Sequence, residues 1–195
     1  MSTVETNLVQ PSTGTTLTLG ASGDTVDVPS GATLDVTGAT VSGLSAGKVL
    51  QVVTLQYNTV ETMAAGASWQ NTGLELAITP SATSSKVLCL FMANLGVSDY
   101  GFANIVRDST DLNQGTPAGS NRITATTGTG SGAHVPWSGT ISLLDSPSTT
   151  SATTYRLAVY GYNGGSVFLN RSFTDTDFNY QVRGSSSVIL MEIEG

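Results

Sequence analysis

Cationic side chains are scarce in this sequence, and their scarcity argues against several classes of function. The 195 residues include seven Lys and Arg against fourteen Asp and Glu, which gives a formal net charge of −7. A nucleic-acid surface needs a basic stripe to neutralise phosphates, and an anionic membrane attracts clustered Lys and Arg. The seven cations are spread singly along the chain, so we expect no nucleic-acid partner.

Cysteine and long apolar runs are also lacking. Cys89 is the single cysteine, which excludes a disulfide framework within one chain, and its apolar neighbours predict a buried strand position. No apolar run approaches the ~20 residues of a membrane-spanning helix. The first residues have neither the cationic start nor the apolar core of a secretory signal. We therefore expect synthesis in a cytoplasm and no membrane insertion.

Residues for catalysis or metal binding are few. His134 is the single histidine, and no G-x-S-x-G motif accompanies it. The DTDFN stretch at 175–179 begins like a calcium loop, but Tyr180 and Ser186 stand where such a loop needs Gly and Glu. We therefore predict no catalytic residue, no metal and no cofactor.

Paired carboxylates leave a glycan hydrolase open as an alternative. Asp108 with Asp111, and Asp175 with Asp177, are the candidate pairs. Such residues more often cap turns, because a short carboxylate accepts hydrogen bonds from nearby backbone N–H groups. The sequence therefore favours a protein that is not an enzyme.

The first 47 residues contain no aromatic and no cationic residue, which divides the chain into two regions. The first cation is Lys48 and the first aromatic residue is Tyr57. We divide the chain into an N-terminal segment (1–16), a repetitive segment (17–47) and a domain (48–195).

The repetitive segment places pairs of aliphatic residues at a regular spacing. LTL at 17–19, VDV at 26–28 and LDV at 34–36 each hold two aliphatics at positions i and i+2, and glycines mark turns between them. One copy buries too little to offset the roughly 1–2 kcal/mol of backbone entropy per ordered residue. Three copies wound about one axis would bury these side chains, although a flexible linker is the alternative. The predicted core of this trimeric β-stalk is Leu17, Leu19, Val26, Val28, Leu34, Val36 and Val41.

The region from Lys48 onward reads as a series of strands with no convincing helix. Alternating or continuous apolar runs separated by turn residues predict a two-sheet β-sandwich or jelly roll. Asn163-Gly164-Gly165 predicts a hairpin turn with positive φ. The eight predicted strands are 48–57, 73–80, 86–93, 101–108, 139–147, 153–162, 166–173 and 186–195.

Residues 109–136 are rich in Gly and Thr and predict a long loop. Loops of this length in a domain are usually functional or mobile. We name Arg122, His134 and Trp137, within or next to this loop, as candidate receptor contacts. Trp69 and Trp137 each precede a predicted strand, where they either pack at the rim of a sandwich or offer an aromatic platform to a sugar.

Several stretches of the second region resemble a known domain. SKVLCLFMANLG, NIVRDST, SLLDSPSTTSATTYRLAVYG, VFLNRS and the terminal SSVILMEIEG are similar to a domain of tailed-bacteriophage virion proteins, common in marine and cyanobacterial phages. There the domain ends short fibres and other appendages. LTLGASGDTVDVPSGATLDVTGATVSGLSAGKVLQV resembles the passage from stalk to head in phage fibres. The resemblance covers about residues 15–195.

The resemblance implies a homotrimer with an intertwined β-stalk and a jelly-roll head like that of the tumour-necrosis-factor family. It implies location on a virion and no catalytic residue. The protein would bind other virion proteins through its N-terminus, with Leu8, Val9 and Pro11 as anchor residues, while the head faces a host surface glycan. The alternative is a capsid decoration trimer that stabilises the phage head.

Overall fold

The computed structural model of the chain describes residues 11, 13–16, 18–19, 22–35, 48–64, 66, 68–112, 115–120, 122–130 and 134–195. The chain divides into two units, Met1–Leu44 and Ser45–Gly195. Each unit is described by itself.

The described part of the first unit contains turns but neither strand nor helix. Gly23 and Gly31 have φ angles of 94° and 88°, and the N–H of Ala32 donates to the carbonyl of Pro29 (3.0 Å). Positive φ favours glycine, so the turns predicted at these two positions are confirmed.

The aliphatic side chains described in the first unit are exposed in the single chain. Their exposed fractions run from 42% to 70%, for Leu19, Val26, Val28 and Leu34. Among the predicted anchor residues, Pro11 is half-buried. The other predicted residues of the stalk and anchor lie outside the described residues: Leu8, Val9, Leu17, Val36 and Val41.

The second unit is built from β-strands, and each of the eight strands predicted from the sequence is confirmed. Three short strands are not predicted, at Glu61–Met63, Thr110–Asp111 and Thr127–Thr129, and the last two lie inside the predicted 109–136 loop. The described strands are β1 (Val49–Tyr57), β2 (Glu61–Met63), β3 (Gln70–Ile78), β4 (Lys86–Val97), β5 (Gly101–Arg107), β6 (Thr110–Asp111), β7 (Thr127–Thr129), β8 (Trp137–Asp145), β9 (Thr153–Gly161), β10 (Val167–Leu169) and β11 (Ser186–Ile193).

The strands form two antiparallel sheets, which confirms the all-β class and the β-sandwich. The six-stranded sheet has the order β1-β11-β4-β10-β2, with β8 on the other side of β4. The five-stranded sheet has the order β3-β9-β5-β6, with β7 also paired to β5. The pairs are nested along the chain: β1 with β11, β3 with β9, β4 with β8, and β5 with β7.

The core lies between the two sheets and takes alternate residues from each long strand. Cys89 and Phe91 of β4 and Leu157 of β9 are fully buried in one hydrophobic cluster. Burial of a large side chain such as Phe91 or Leu157 contributes roughly 1.5–3 kcal/mol when it is removed from water. The prediction that Cys89 is a small buried hydrophobic residue is confirmed.

The hairpin predicted at Asn163-Gly164-Gly165 is wrong, although its backbone conformation is right. Asn163 and Gly164 have φ angles of 52° and 77°, as the prediction required. The flanking strands do not pair with each other, because β9 pairs with β3 and β5 while β10 pairs with β2 and β4. The turn therefore carries the chain from one sheet to the other.

A hydrogen-bond network of three side chains connects the two sheets at one end of the core. The hydroxyl of Tyr155 on β9 donates to Oδ2 of Asp145 on β8 (2.7 Å), and Nη1 of Arg107 on β5 donates to the same oxygen (2.6 Å). Burial raises the pKa of the fully buried Tyr155, as does its hydrogen bond to Asp145. The hydroxyl therefore stays protonated and acts as a donor.

Asn170 lies just after β10, where β10 and β11 pair one after the other with the same edge of β4. Its φ is 63°, a conformation that asparagine tolerates, and its side chain is fully buried. Its Nδ2 donates to the carbonyls of Tyr57 and Thr59 (2.8 and 2.9 Å), and its Oδ1 accepts from the hydroxyl of Ser186 (2.6 Å). One side chain thereby joins β1, β10 and β11.

Glu192 occupies a core-facing position near the end of β11 and is 1% exposed. Burial alone raises the pKa of a carboxyl group. Here the N–H and O–H of Ser81 donate to Oε1 (2.6 Å each) and Nε2 of Gln51 donates to Oε2 (2.6 Å), and these bonds lower the pKa of Glu192 to about 2. The ionised carboxylate ties β11 to β1 and to the turn before β4.

Acid is predicted to weaken the fold through Glu192. Its folded pKa of about 2 lies below the ordinary 4.5, so its contribution is present above pH 4.5 and is lost as the pH falls towards 2. This pKa shift contributes about 3 kcal/mol to the free energy of unfolding, and about 2 kcal/mol of that contribution is lost by about pH 3. Urea unfolding at about pH 6 and pH 3 should show this loss in the native chain but not in Glu192→Gln.

Glu194→Gln is the matched control, because Glu194 is partly exposed and lies 3.9 Å from Lys48. This variant should keep the native pH dependence. An equal loss of stability in Glu192→Gln and the native chain would show that Glu192 does not carry the effect.

Candidate functional site

The outward face of the five-stranded sheet contains a groove of about 470 Å³. Its floor includes the buried Ala158 and Asn104, while exposed residues form the rim. At Ala158 the groove extends down to the strand, because the side chain is only a methyl group. The lining residues are Trp69, Asn71, Asn104, Val106, Asp108, Ser109, Asp111, Arg156 and Ala158.

An amide row crosses the middle of the groove. Asn71 of β3 lies opposite Ala158 of β9, which lies opposite Asn104 of β5. Residues directly opposite each other in antiparallel strands point to the same face of a sheet. The row therefore places two side-chain amides on either side of one methyl group.

A charged row lies next to the amide row. Glu75, Arg156, Val106 and Asp111 are paired in that order across β3, β9, β5 and β6. The Nε of Arg156 lies 3.2 Å from Oε2 of Glu75, so the cation is balanced by a carboxylate on the neighbouring strand. Asp111 then adds negative charge at the other end of the row.

An aromatic row lies on the opposite side of the amide row. Tyr160 of β9 is paired with Phe102 of β5, with their ring centroids 6.2 Å apart. Trp69 packs against Tyr160 with a centroid distance of 5.8 Å and an interplanar angle of 55°. These contacts fix the indole of Trp69, half-buried, as one wall of the groove.

Hydrogen bonds made by Asn104 position Thr126 and Asp111 on the side of the groove away from Trp69. Its side-chain oxygen accepts the N–H and O–H of Thr126 (2.7 and 3.0 Å), and its Nδ2 donates to Oδ1 of Asp111 (3.1 Å). The turn at Asp108 is fixed to β9, because Oδ1 of Asp108 accepts the N–H of Thr154 (3.0 Å). The start of the predicted 109–136 loop, and Thr126 within it, therefore have a defined position beside the groove.

The three candidate receptor contacts from the sequence lie in different surroundings. Arg122 is exposed beside a shallow depression lined by residues 118–120. His134 is exposed and meets the ring of Tyr180 edge-on at 4.9 Å. Trp137 is half-buried, pairs with Leu95 and packs against the core. None of the three lines the groove.

The sequence singles out Trp69 and the carboxylate pair Asp108 and Asp111, and all three line the groove. The other groove residues are not identified as site residues from the sequence. The alternation of TYRLAVYGY placed Arg156, Ala158 and Tyr160 on one face of a strand, which is the face that lines the groove or flanks it. This alternation is the sequence feature from which the groove residues of β9 could have been identified. No comparable signal existed for Asn71 and Asn104, because their meeting depends on strand pairings between distant segments.

A second depression, of about 420 Å³, lies in the 171–185 loop. Phe178 and Tyr180 stack there at 5.4 Å, and Arg183 pairs with Asp175 through two hydrogen bonds (3.0 and 2.7 Å). The hydrogen bonds from Arg183 lower the pKa of Asp175 by more than desolvation raises it, so the pKa lies below its usual value. Within the described part of the chain, no group of three His, Cys, Asp or Glu residues is placed to hold a metal ion.

The outward face of the six-stranded sheet has a different chemistry. One complete row is apolar: Val52, Met191, Leu88 and Leu144 are paired in that order across β1, β11, β4 and β8. The next row, Thr54, Ile189, Leu90 and Ser142, has no charged residue either. Val52 and Leu144 are 50% and 53% exposed in the single chain. We call these two rows the aliphatic face.

No protein-family model matches this chain, and a search of the curated proteins finds no match. Among the described residues, no helix has the length and apolar character needed to cross a membrane.

Proposed function

We propose that the chain is a structural subunit of a tailed-phage virion, made in the host cytoplasm and assembled into a short homotrimeric fibre. Its N-terminus attaches to other virion proteins, and its β-sandwich forms the head, which points outward. The role is mechanical and adhesive rather than catalytic. The resemblance of the sequence to phage appendage proteins supports the virion, and the described structure supports self-association.

The nested strand pairing supports a jelly-roll head. Pairing β1 with β11, β3 with β9, β4 with β8 and β5 with β7 is the arrangement produced when one long antiparallel hairpin is rolled into two sheets. The lateral pairs β11–β4 and β9–β5 complete the two sheets. This topology agrees with the head domain that the sequence resemblance implies.

The aliphatic face is the observation that carries self-association of the chain, while the number of three copies comes from the resemblance. Contiguous exposed apolar rows of this kind mark an interaction surface. Another copy of the chain is the best occupant, because each copy has a net charge of −7 and copies can approach closely only through a surface without carboxylates. The two rows of the aliphatic face meet this requirement. Contacts between copies would remove Val52, Leu88 and Leu144 from water.

The repetitive segment supports the same assembly from a separate part of the chain. Its described aliphatic residues are exposed in a single copy, at spacings suited to short strands. Three intertwined copies would bury them against their equivalents, which gives the β-stalk. Residues 1–16 would then form the attachment to the particle.

Light scattering of the full-length protein is predicted to give three times the 20.0 kDa mass of the chain. Leu88→Glu should lower that mass towards one chain at micromolar concentration, because it places a carboxylate at the centre of the aliphatic face. Ala77→Glu is the matched control, since Ala77 is exposed on the five-stranded sheet, and it should keep the native mass. A single-chain mass for the native protein would contradict the trimer.

Phage particles that lack this protein are predicted to adsorb to their host at least about tenfold more slowly, because they lose a multivalent attachment. Capsid heat resistance should be unchanged. Normal adsorption with a lower temperature of capsid disruption would instead favour the capsid decoration trimer. Both quantities can be measured on the same particle preparations.

A further inference from the structure

We propose that the groove on the five-stranded sheet binds one neutral hexopyranose ring. The proposal rests on the proposed function only for the source of the sugar, a glycan on the host surface. The binding chemistry itself follows from three features of the groove: an aromatic wall, a set of hydrogen-bonding groups, and a negative charge balance.

The aromatic wall suits the apolar side of a sugar ring. Trp69 is half-buried and is supported from behind by Tyr160 at 5.8 Å, so its position in the groove is fixed before a ligand arrives. A large ring with a polar N–H is the usual partner of surfaces that are partly apolar and partly hydrated. The C–H face of a hexopyranose is such a surface, and the small Ala158 beside the wall leaves depth for it.

The hydrogen-bonding groups suit hydroxyls. Asp111 and Asp108 each carry a carboxylate, which has about four acceptor positions. Asp111 accepts from Nδ2 of Asn104 at Oδ1 (3.1 Å) and Oδ2 (3.4 Å), and Asp108 accepts from the N–H of Thr154 at Oδ1, so these bonds use only part of the acceptor positions of each carboxylate. Hydroxyl groups that donate to a carboxylate form charge-assisted bonds, which are stronger than neutral ones. Asn71 on the exposed rim adds both a donor and an acceptor.

The charge balance favours a neutral sugar over an acidic one. Arg156, Asp108 and Asp111 all line the groove, so its lining carries one positive and two negative charges, and the positive charge of Arg156 is already paired with Glu75 at 3.2 Å. A uronic acid or a phosphorylated sugar would bring a further negative charge next to these carboxylates. The volume of about 470 Å³ lies within the roughly 300–1,000 Å³ of small-molecule sites.

The test is a titration of the full-length protein with the methyl glycosides of glucose, galactose and mannose, followed by saturation-transfer NMR. Glucuronate serves as the acidic counterpart of glucose. At least one neutral glycoside should bind with a millimolar dissociation constant, and glucuronate should bind at least tenfold more weakly than that glycoside. Three copies per fibre would raise the apparent affinity for a polymeric glycan.

Variants assign the binding to the groove. Trp69→Ala should weaken binding at least tenfold, and Asn71→Ala repeats the test at an exposed position without removing a ring. Phe178→Ala is the matched control, because it removes an exposed ring from the 171–185 loop and should leave binding unchanged. Asp111→Asn should bring the affinities for glucuronate and the neutral glycoside closer together, which a purely structural role of Asp111 would not do.

The proposal is overturned if no neutral glycoside binds, if glucuronate binds as tightly, or if Phe178→Ala abolishes binding that Trp69→Ala and Asn71→Ala preserve. These outcomes do not depend on whether the protein forms a trimeric fibre. A trimer that binds no sugar overturns the groove proposal alone. A single chain that binds sugar through Trp69 contradicts the trimer and retains the groove.

Discussion

The contact between the inward faces of the two sheets is the interaction on which the rest of this structure depends. Every long strand has one face in the core, where residues such as Phe91, Leu157 and Leu190 are fully buried. A shift of register by one residue would expose that face, so burial fixes the register of each pair. The bond network of Tyr155, Asp145 and Arg107 adds a polar connection between the sheets. Once the register is fixed, the composition of both outward faces follows.

The two outward faces then differ in a way that separates association from recognition. The aliphatic face has two rows without charge, which suits contact between copies of an acidic chain. The five-stranded sheet instead presents aromatic, amide and charged rows around a groove. One sandwich can thus be held in an assembly by one sheet while the other sheet faces solvent. In the proposed fibre, three equivalent grooves would face the host surface.

Much of the fold was predictable from the sequence, because local alternation determines which segments are strands. It predicts eight of the eleven described strands, the burial of Cys89 and a shared face for Arg156, Ala158 and Tyr160. It could not predict which strands pair, because pairing depends on how the inward faces fill a common core. For that reason the turn at Asn163 was predicted as a hairpin, although its two strands lie in different sheets.

The candidate site was less predictable for the same reason. Asn71 meets Asn104 only through β9, by pairings between strands distant in sequence, whereas Asp111 reaches Asn104 through the local pair β5–β6. From the sequence, Trp137 is named as a candidate receptor contact, whereas Trp69 is not. The structure places Trp69 in the groove and packs Trp137 against the core, where its ring covers Gly139 so closely that an added Cβ would lie 2.1 Å away.

Thiol labelling of single introduced cysteines would test most directly whether the two outward faces have different roles. The native thiol gives little background, because Cys89 is buried and burial raises its pKa. Ser142→Cys lies on the aliphatic face, and Ala77→Cys is exposed on the five-stranded sheet. In the native full-length protein, a maleimide should react with Ala77→Cys at least about tenfold faster than with Ser142→Cys, and denaturant should equalise the rates. Equal rates in the native protein would contradict the assignment of the aliphatic face to contacts between copies.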